Sequence, residues 1–342
     1  MHAARSVRAL VVASALAAAT AAAADPVADF YKGQQVSIVV GHHPGTGFDV
    51  YSRVLARHMG RHLPGEPSFV VKNMAGASGI IAANWLYTTA PKDGATMGIF
   101  AHNVALENMF GNDQARFDAS KFIWVGNMEK GVGLCGVTPK AGVAKFDDLR
   151  EKKVIFGGTG ATGPLVTLAN ATKNLLGAKI EVIAGYKGAL DVKAAMQRGE
   201  VAGVCGLFWS HVISAWKDDL DSGAFKPILF VSGDKPAGME HVAHVDDYAK
   251  TEEQKQTFGL AFNVAEFGRN YAMPPGVPAD RVAAMRKAFM DTMKDPGFLS
   301  EAGKLGVEVS PTSGAEVEKA WRALTSAPKD VVERAKAALL TP

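Results

Sequence analysis

Short apolar runs alternate with stretches of helical spacing along most of the chain. Gln35–Val40 reads QVSIVV, a β-rich run, and Phe48–His62 follows with Val50, Val54 and Leu55 on one helical face. Ser68–Lys72 and Thr96–Phe100 read as strands flanking a helix at Gly79–Thr88. The order β-α-β-α-β predicts an α/β fold with a mostly parallel sheet and helices on its faces. A second series starts near Gly133. It offers strands at Leu134–Val137, Lys153–Phe156, Lys179–Ala184 and Val201–Leu207, a short helix from Phe146 to Leu149, and helices near Pro164–Leu176 and Ala189–Arg198. The last third predicts helices near Ala279–Lys294, Gly314–Thr325 and Lys329–Leu340, with Ala279-Asp280 and Ser313 as helix starts. The pattern contains a coarse duplication, because each half presents a strand, a glycine-rich turn and a helix.

The 342 residues are enough for one large or two ordinary domains, and 48% hydrophobic with 21% charged residues is a globular composition. Lys+Arg 37 against Asp+Glu 34 is too balanced for a protein that binds nucleic acid by neutralising phosphates. Two cysteines exclude a disulfide-dense scaffold or a Cys-rich zinc module. Residues 1–24 have the order of a secretory signal: Arg5 and Arg8, an apolar stretch from Ala9, then Ala22 to Ala24 before Asp25-Pro26. Export, cleavage near Ala24 and a periplasmic location are the expectation.

Two glycine-rich turns carry the candidate chemistry. The first is Gly41-His42-His43-Pro44-Gly45-Thr46-Gly47-Phe48-Asp49, the second Gly157-Gly158-Thr159-Gly160-Ala161-Thr162-Gly163-Pro164. Both lie between a predicted strand and a predicted helix. Glycine lets the backbone approach a ligand, and the first turn of a helix has unpaired N–H groups and partial positive charge. Such turns bind carboxylate or phosphate without Lys or Arg, and neither turn contains one. An anion held by N–H groups of Gly45–Phe48 and Thr159–Gly163 is therefore expected. The second turn also spells G-x-G-x-x-G at Gly158, Gly160 and Gly163, which supports the alternative of a nucleotide-dependent oxidoreductase. The acid expected at the end of the next strand is missing there, since the sequence reads Ala184-Gly185-Tyr186-Lys187.

Other candidates have two readings each. Asp49 caps the first helix and borders the ligand site. Thr46 and Thr159 add hydroxyl donors or are surface turn residues. His42 and His43 donate to an anion or only complete the turn. His102 and Asn103 follow a strand on the edge where parallel sheets place ligands. Tyr186 offers its hydroxyl to a carboxylate or packs under its loop. Phe208 and Trp209 are core, or they line a flat pocket. Arg269 forms a salt bridge with a ligand carboxylate or a surface pair. His58 and His62, four apart on a helix, have metal-ligand spacing but no third ligand, and read as a solvated face. Gly76-Ala77-Ser78-Gly79 is one residue short of a nucleophile elbow. No catalytic residue, metal or cofactor is expected.

Three blocks resemble the TctC or Bug family, the periplasmic solute-binding receptors of tripartite tricarboxylate transporters. The first turn keeps Gly45, Gly47, Asp49 and Arg53 of the family's pattern, with His42-His43 in place of its aromatic-proline start. Val71-Lys72-Asn73-Met74-Ala75-Gly76-Ala77-Ser78-Gly79, followed by Pro91-Lys92-Asp93-Gly94, matches a second block. The Gly158–Gly163 turn followed by Tyr186-Lys187-Gly188 matches a third. The resemblance implies a two-lobed type II periplasmic binding protein fold with a hinge and a ligand cleft between the lobes. After the signal peptide at 1–24, lobe one would span 25–128, lobe two 129–248, and a return segment with C-terminal helices on lobe one 249–342. It further implies a non-enzymatic, monomeric protein that binds a small organic acid and delivers it to membrane permease subunits. In that fold the strand entering lobe two runs beside the later one. Cys135 and Cys205 would then be adjacent, either bridged, as an oxidising compartment favours, or two buried thiols.

Overall fold

The computed structural model describes residues 25–342, so the signal segment and its cleavage point near Ala24 lie outside the described residues. The chain builds two six-stranded sheets. The first takes β1 (Gln35–Val40), β2 (Ser68–Asn73), β3 (Thr96–Ile99) and β4 (Ile123–Asn127), and later receives β11 (Asn270–Met273) and β12 (Thr312–Ser313). The second holds β5 (Gly133–Val137), β6 (Val154–Gly157), β7 (Ile180–Ile183), β8 (Gly203–Phe208), β9 (Lys226–Phe230) and β10 (Ala243–His244).

The sheets repeat one plan. Their orders are β12-β4-β11-β3-β1-β2 and β10-β9-β5-β8-β6-β7. In each, the central strand that has just crossed from the other lobe, β11 or β5, runs antiparallel to both neighbours. β1 is parallel to β2 and β3, and β6 is parallel to β7 and β8. The duplication seen in the sequence is thus a duplication of topology. The glycine-rich turns follow β1 and β6, the equivalent strands at the point where strand order reverses, which is where open α/β sheets place ligands.

The alternation of Val36, Ile38 and Val40, all fully buried, seats β1 against Val54 and Leu55 of the Gly47–His58 helix. On that helix's far end, His58 and His62 are not a solvated face. His58 Nε2 lies 2.6 Å from Glu301 and His62 Nε2 2.8 Å from Asp295, because the Pro296–Lys304 helix packs alongside and brings Glu301 and its N-cap residue Asp295 with it.

The C-terminal helices divide between the lobes. Gly314–Thr325 covers the first sheet, with Trp321 stacked on Trp124 of β4 at 5.6 Å. Lys329–Leu340 departs from the expectation and packs on the Pro164–Leu176 helix of the second lobe. Val331, Ala335 and Leu339 form its buried stripe, and Asn170 and Asn174 donate to the carbonyls of Leu339, Ala338 and Thr341 at its open end. The helix Glu252–Phe262 has no apolar periodicity in its first turns. Its sequence signal is the capping box between Thr251 and Gln254.

Candidate functional site

The first turn is braced from within. Asp49, at the third position of its helix, accepts from Gly45 N–H and Arg53 Nε on one oxygen and from Asn73 on the other, each at 2.9 Å. Burial pushes its carboxyl up, but these donors outweigh it and hold the group below its ordinary range. The capping contribution of Asp49 is therefore to lock the turn, and Gly45 N–H is spent on it. Thr46 N–H and hydroxyl both turn back to His43 carbonyl, and His43 itself is exposed. What the turn offers outward are the N–H groups of Gly47 and Phe48, the first two of the helix.

The second turn faces the first lobe. A Cβ at Gly160 would sit 2.8 Å from Ser78 Oγ, one at Gly188 would sit 3.7 Å from the Thr46 methyl, and the Asn103 amide donates to Thr162 carbonyl. Gly163 N–H closes on Gly160 carbonyl, while Thr159 carbonyl accepts from Gly185, so the Thr159–Thr162 arch is supported from behind. Pro164 occupies the first helical position behind Gly163. The dinucleotide alternative finds no support, because β7 ends at Ile183 without an acid, and Glu181, exposed at its second position, pairs with Lys153.

Between the two crossings of the chain sits a buried ion pair that sequence reading reached only on one side. Arg269 Nε is 3.5 Å from Glu129 Oε2, with both residues almost fully buried. That separation is an ion pair without a direct hydrogen bond at those atoms. Phe48, Tyr51 and Phe208 cage the guanidinium, with ring centroids 4.7, 4.6 and 4.8 Å from its carbon. Ser210 donates its hydroxyl to the other oxygen of Glu129. Arg269 Nη2 lies directly below Gly47, 2.9 Å from where a Cβ would be.

A cavity of about 180 Å³ opens here, lined by Gly47, Tyr51 and Arg269 from one side and Ser210, His211 and Leu190 from the other. It suits a small ligand, well below drug-sized pockets. The surroundings are rich in buried polar atoms without partners: His42 Nδ1, His102 Nδ1, His211 Nε2, Glu129 Oε2, Arg269 Nε and both amide atoms of Asn270. Native interiors rarely leave such groups unpaired. Burial, and secondarily Arg269, pushes His42 and His102 down to about 3 and His211 to about 4, so all three imidazoles are neutral at pH 7.

Of the residues singled out from sequence, Gly45, Gly47 and Arg269 line the cavity, and Phe48 and Phe208 border it through the Arg269 guanidinium, with His42 stacked on Phe48 at 3.9 Å and His102 against Phe208. Tyr186 and Trp209 are elsewhere. The Tyr186 hydroxyl turns to Glu200 on the outer face of the second lobe. Trp209 packs on Phe230 within that lobe's core, because it is the first residue of the helix after β8 and points back over the sheet. Glu129, Ser210, His211 and Tyr51 carry no signal in the sequence. Ser78 does, as part of the Gly76–Gly79 block, whose four residues all take positive φ. Cys135 and Cys205 are opposed on β5 and β8 and joined as a disulfide.

No protein-family model and no curated protein matches the sequence. Solved structures do match by shape. A TctC solute-binding protein from Polaromonas superposes with TM-score 0.62 at 16% identity, covering 87% of this chain and 98% of its own. The periplasmic binding protein BugD gives 0.69 at 18%, with 89% and 97% covered. MatC from Rhodopseudomonas palustris, with bound malate, gives 0.65 at 16%, with 87% and 98% covered. The chain has the two-lobed TctC/Bug fold. Its glycine-rich turns and the Arg269 cavity therefore lie in the interlobe region of a periplasmic-binding-protein architecture. Among the described residues no helix is long and apolar enough to cross a membrane.

Proposed function

We propose that this chain is a periplasmic solute-binding protein of the TctC type, which captures a small organic carboxylate between its lobes and hands it to the permease of a tripartite tricarboxylate-type transporter. The observation that carries this reading is the set of unpartnered polar atoms gathered around Arg269 beside a small interlobe cavity. A carboxylate also supplies acceptors for donors on or beside the cavity wall, Nη2 of Arg269 and the Gly47 and Phe48 N–H groups. The N-terminus of the Gly47–His58 helix adds partial positive charge. Malate bound to MatC, a protein of the same fold, supports a carboxylate over a neutral solute. The signal-like order of residues 1–24 and the passages of the chain between the two sheets, which provide a hinge, fit a monomeric receptor that closes on its ligand.

The test is a thermal-shift screen of organic acids (malate, succinate, adipate, citrate, benzoate and glutamate) followed by calorimetry on any that raise the melting temperature. A receptor of this class gains several degrees from its cognate acid and nothing from the matching alcohol or amide. Indifference to every acid in the screen overturns the proposal.

A further inference from the structure

An anion entering this cleft meets fixed charges that already cancel. Arg269 contributes one positive charge and Glu129 one negative, side by side and buried. Lys193, on the Ala189–Arg198 helix facing His211, is held 2.5 Å from Asp219. From the first lobe, the Tyr51 phenol is pushed up by burial and stays neutral, and burial also pushes the Glu308 carboxyl up. Apart from the helix terminus at Gly47, nothing in the wall balances one carboxylate, and still less two. Taking an uncompensated charge out of water is costly.

The cleft nevertheless has a reserve of positive charge. His42, His102 and His211 surround the same guanidinium, each with a buried ring nitrogen that has no partner. His42 stacks on Phe48 and His102 packs against Phe208, so both border the aromatic cage. His211 alone of the three lines the cavity, next to Ser210 and Arg269. In the empty protein, burial and the positive charges of Arg269 and Lys193 keep it uncharged. A carboxylate placed between His211 and Arg269 reverses that field and favours the imidazolium, which can donate to it.

Given the carboxylate-binding reading above, we propose that His211 is a ligand-binding residue and that the cleft takes up a proton from solvent onto its imidazole as the carboxylate enters. The sign follows from linkage. The bound state holds one proton more than the free state, so affinity falls as pH rises, by up to tenfold per pH unit between the imidazole's values in the free and bound protein. Arg269 and the Gly47 turn fix where the anion sits, and His211 sets how much negative charge the site accepts.

Calorimetry with malate, succinate and adipate at pH 7, in phosphate and in Tris, counts protons through the different ionisation heats of the two buffers. The wild-type protein takes up close to one proton per acid bound. His211→Gln takes up close to none and binds at least tenfold more weakly at pH 6. Binding without proton uptake, or uptake unchanged in His211→Gln, overturns the role of His211 while leaving the receptor reading intact. No binding of any of the three acids removes both. A second measurement does not depend on the variant's folding: NMR of the wild-type imidazoles. His211 stays neutral down to about pH 5 in the free protein and is protonated at pH 7 with saturating acid. A free-protein His211 that titrates near its ordinary value also overturns the proposal.

Discussion

Glu129 and Arg269 face each other across 3.5 Å at the two places where the chain passes from one sheet to the other. The crossings are laced by their backbones as well. Arg269 N–H donates to Asn127 Oδ1, Met128 N–H to Arg269 carbonyl, and Gly131 N–H to Glu266 carbonyl. The pair is therefore part of the hinge and part of the cavity wall at once. Any charge that binds in the cavity competes with Glu129 for the same guanidinium.

That competition predicts opposite effects on stability and on binding. Glu129→Gln keeps the shape but leaves Arg269 buried without a counter-charge, and losing one partner of a buried pair costs about 3–5 kcal/mol. The variant's ligand-free melting temperature drops, while its affinity for an organic acid rises because nothing rivals the ligand. Calorimetry beside a melting curve checks both. Parallel losses of stability and affinity would mean that Glu129 is only structural.

The first turn separates two glycines that look alike in sequence. Gly45 has φ of +79° and open space around its Cβ position, and its N–H serves Asp49. Gly45→Ala therefore costs about 1–2 kcal/mol of backbone strain and leaves affinity nearly unchanged. Gly47 has an ordinary φ, but a methyl there lies 2.9 Å from Arg269 Nη2. Gly47→Ala displaces the guanidinium from beneath the turn and lowers affinity more than tenfold, or ~1.4 kcal/mol. Matched titrations of the two variants show whether ligand is read at Gly47 or at Gly45.

Much of this was legible in the sequence because the relevant signals are local. The Pro164–Leu176 helix is bounded by Gly163-Pro164 and Gly177, and the Ala189–Arg198 helix by Gly188 and Gly199, all of them turn or cap residues. The equivalence of β1 and β6 showed as a repeated strand-glycine-helix order. The cavity's second wall was not legible. Glu129, in Met128-Glu129-Lys130, has the look of a solvated turn, and only the meeting with Arg269, far along the chain, buries it. Ser210 and His211 sit on a short helix whose inward face is set by how β8 enters the sheet, which also turns Trp209 away from the site. The last helix was misplaced because its apolar stripe fits either lobe; the amides of Asn170 and Asn174 decide between them.

The disulfide should govern how the second lobe unfolds. Cys135 and Cys205 close a loop with a sequence separation of 70, and both are fully buried at the centre of the sheet. In the chain-entropy picture such a closure is worth about 4 kcal/mol. Protein never exposed to reductant shows no thiol in denaturant, and reduction lowers the melting temperature only after the sheet opens. Two titratable thiols in unreduced, denatured protein count against the bridge.

The lobes also meet where Gly160 approaches Ser78, and this contact can be changed without touching the cavity. A Cβ on Gly160 would lie 2.8 Å from Ser78 Oγ, while the turn's own backbone leaves that direction open and no positive φ is involved. A branched side chain at this position therefore strains the closed arrangement and leaves each lobe's core alone. The Asn103 amide, which donates to Thr162 carbonyl in the same arch, loses its partner when the lobes part. Gly160→Val is thus expected to fold with a near-normal melting temperature, to show a larger radius of gyration in solution scattering, and to bind its acid at least tenfold more weakly. Gly160→Ala, with one methyl against a movable hydroxyl, falls between the two. Asn103→Ala opens the cleft in the same direction without adding bulk. Wild-type scattering from Gly160→Val at saturating ligand, combined with undiminished affinity, would show that closure does not run through this contact.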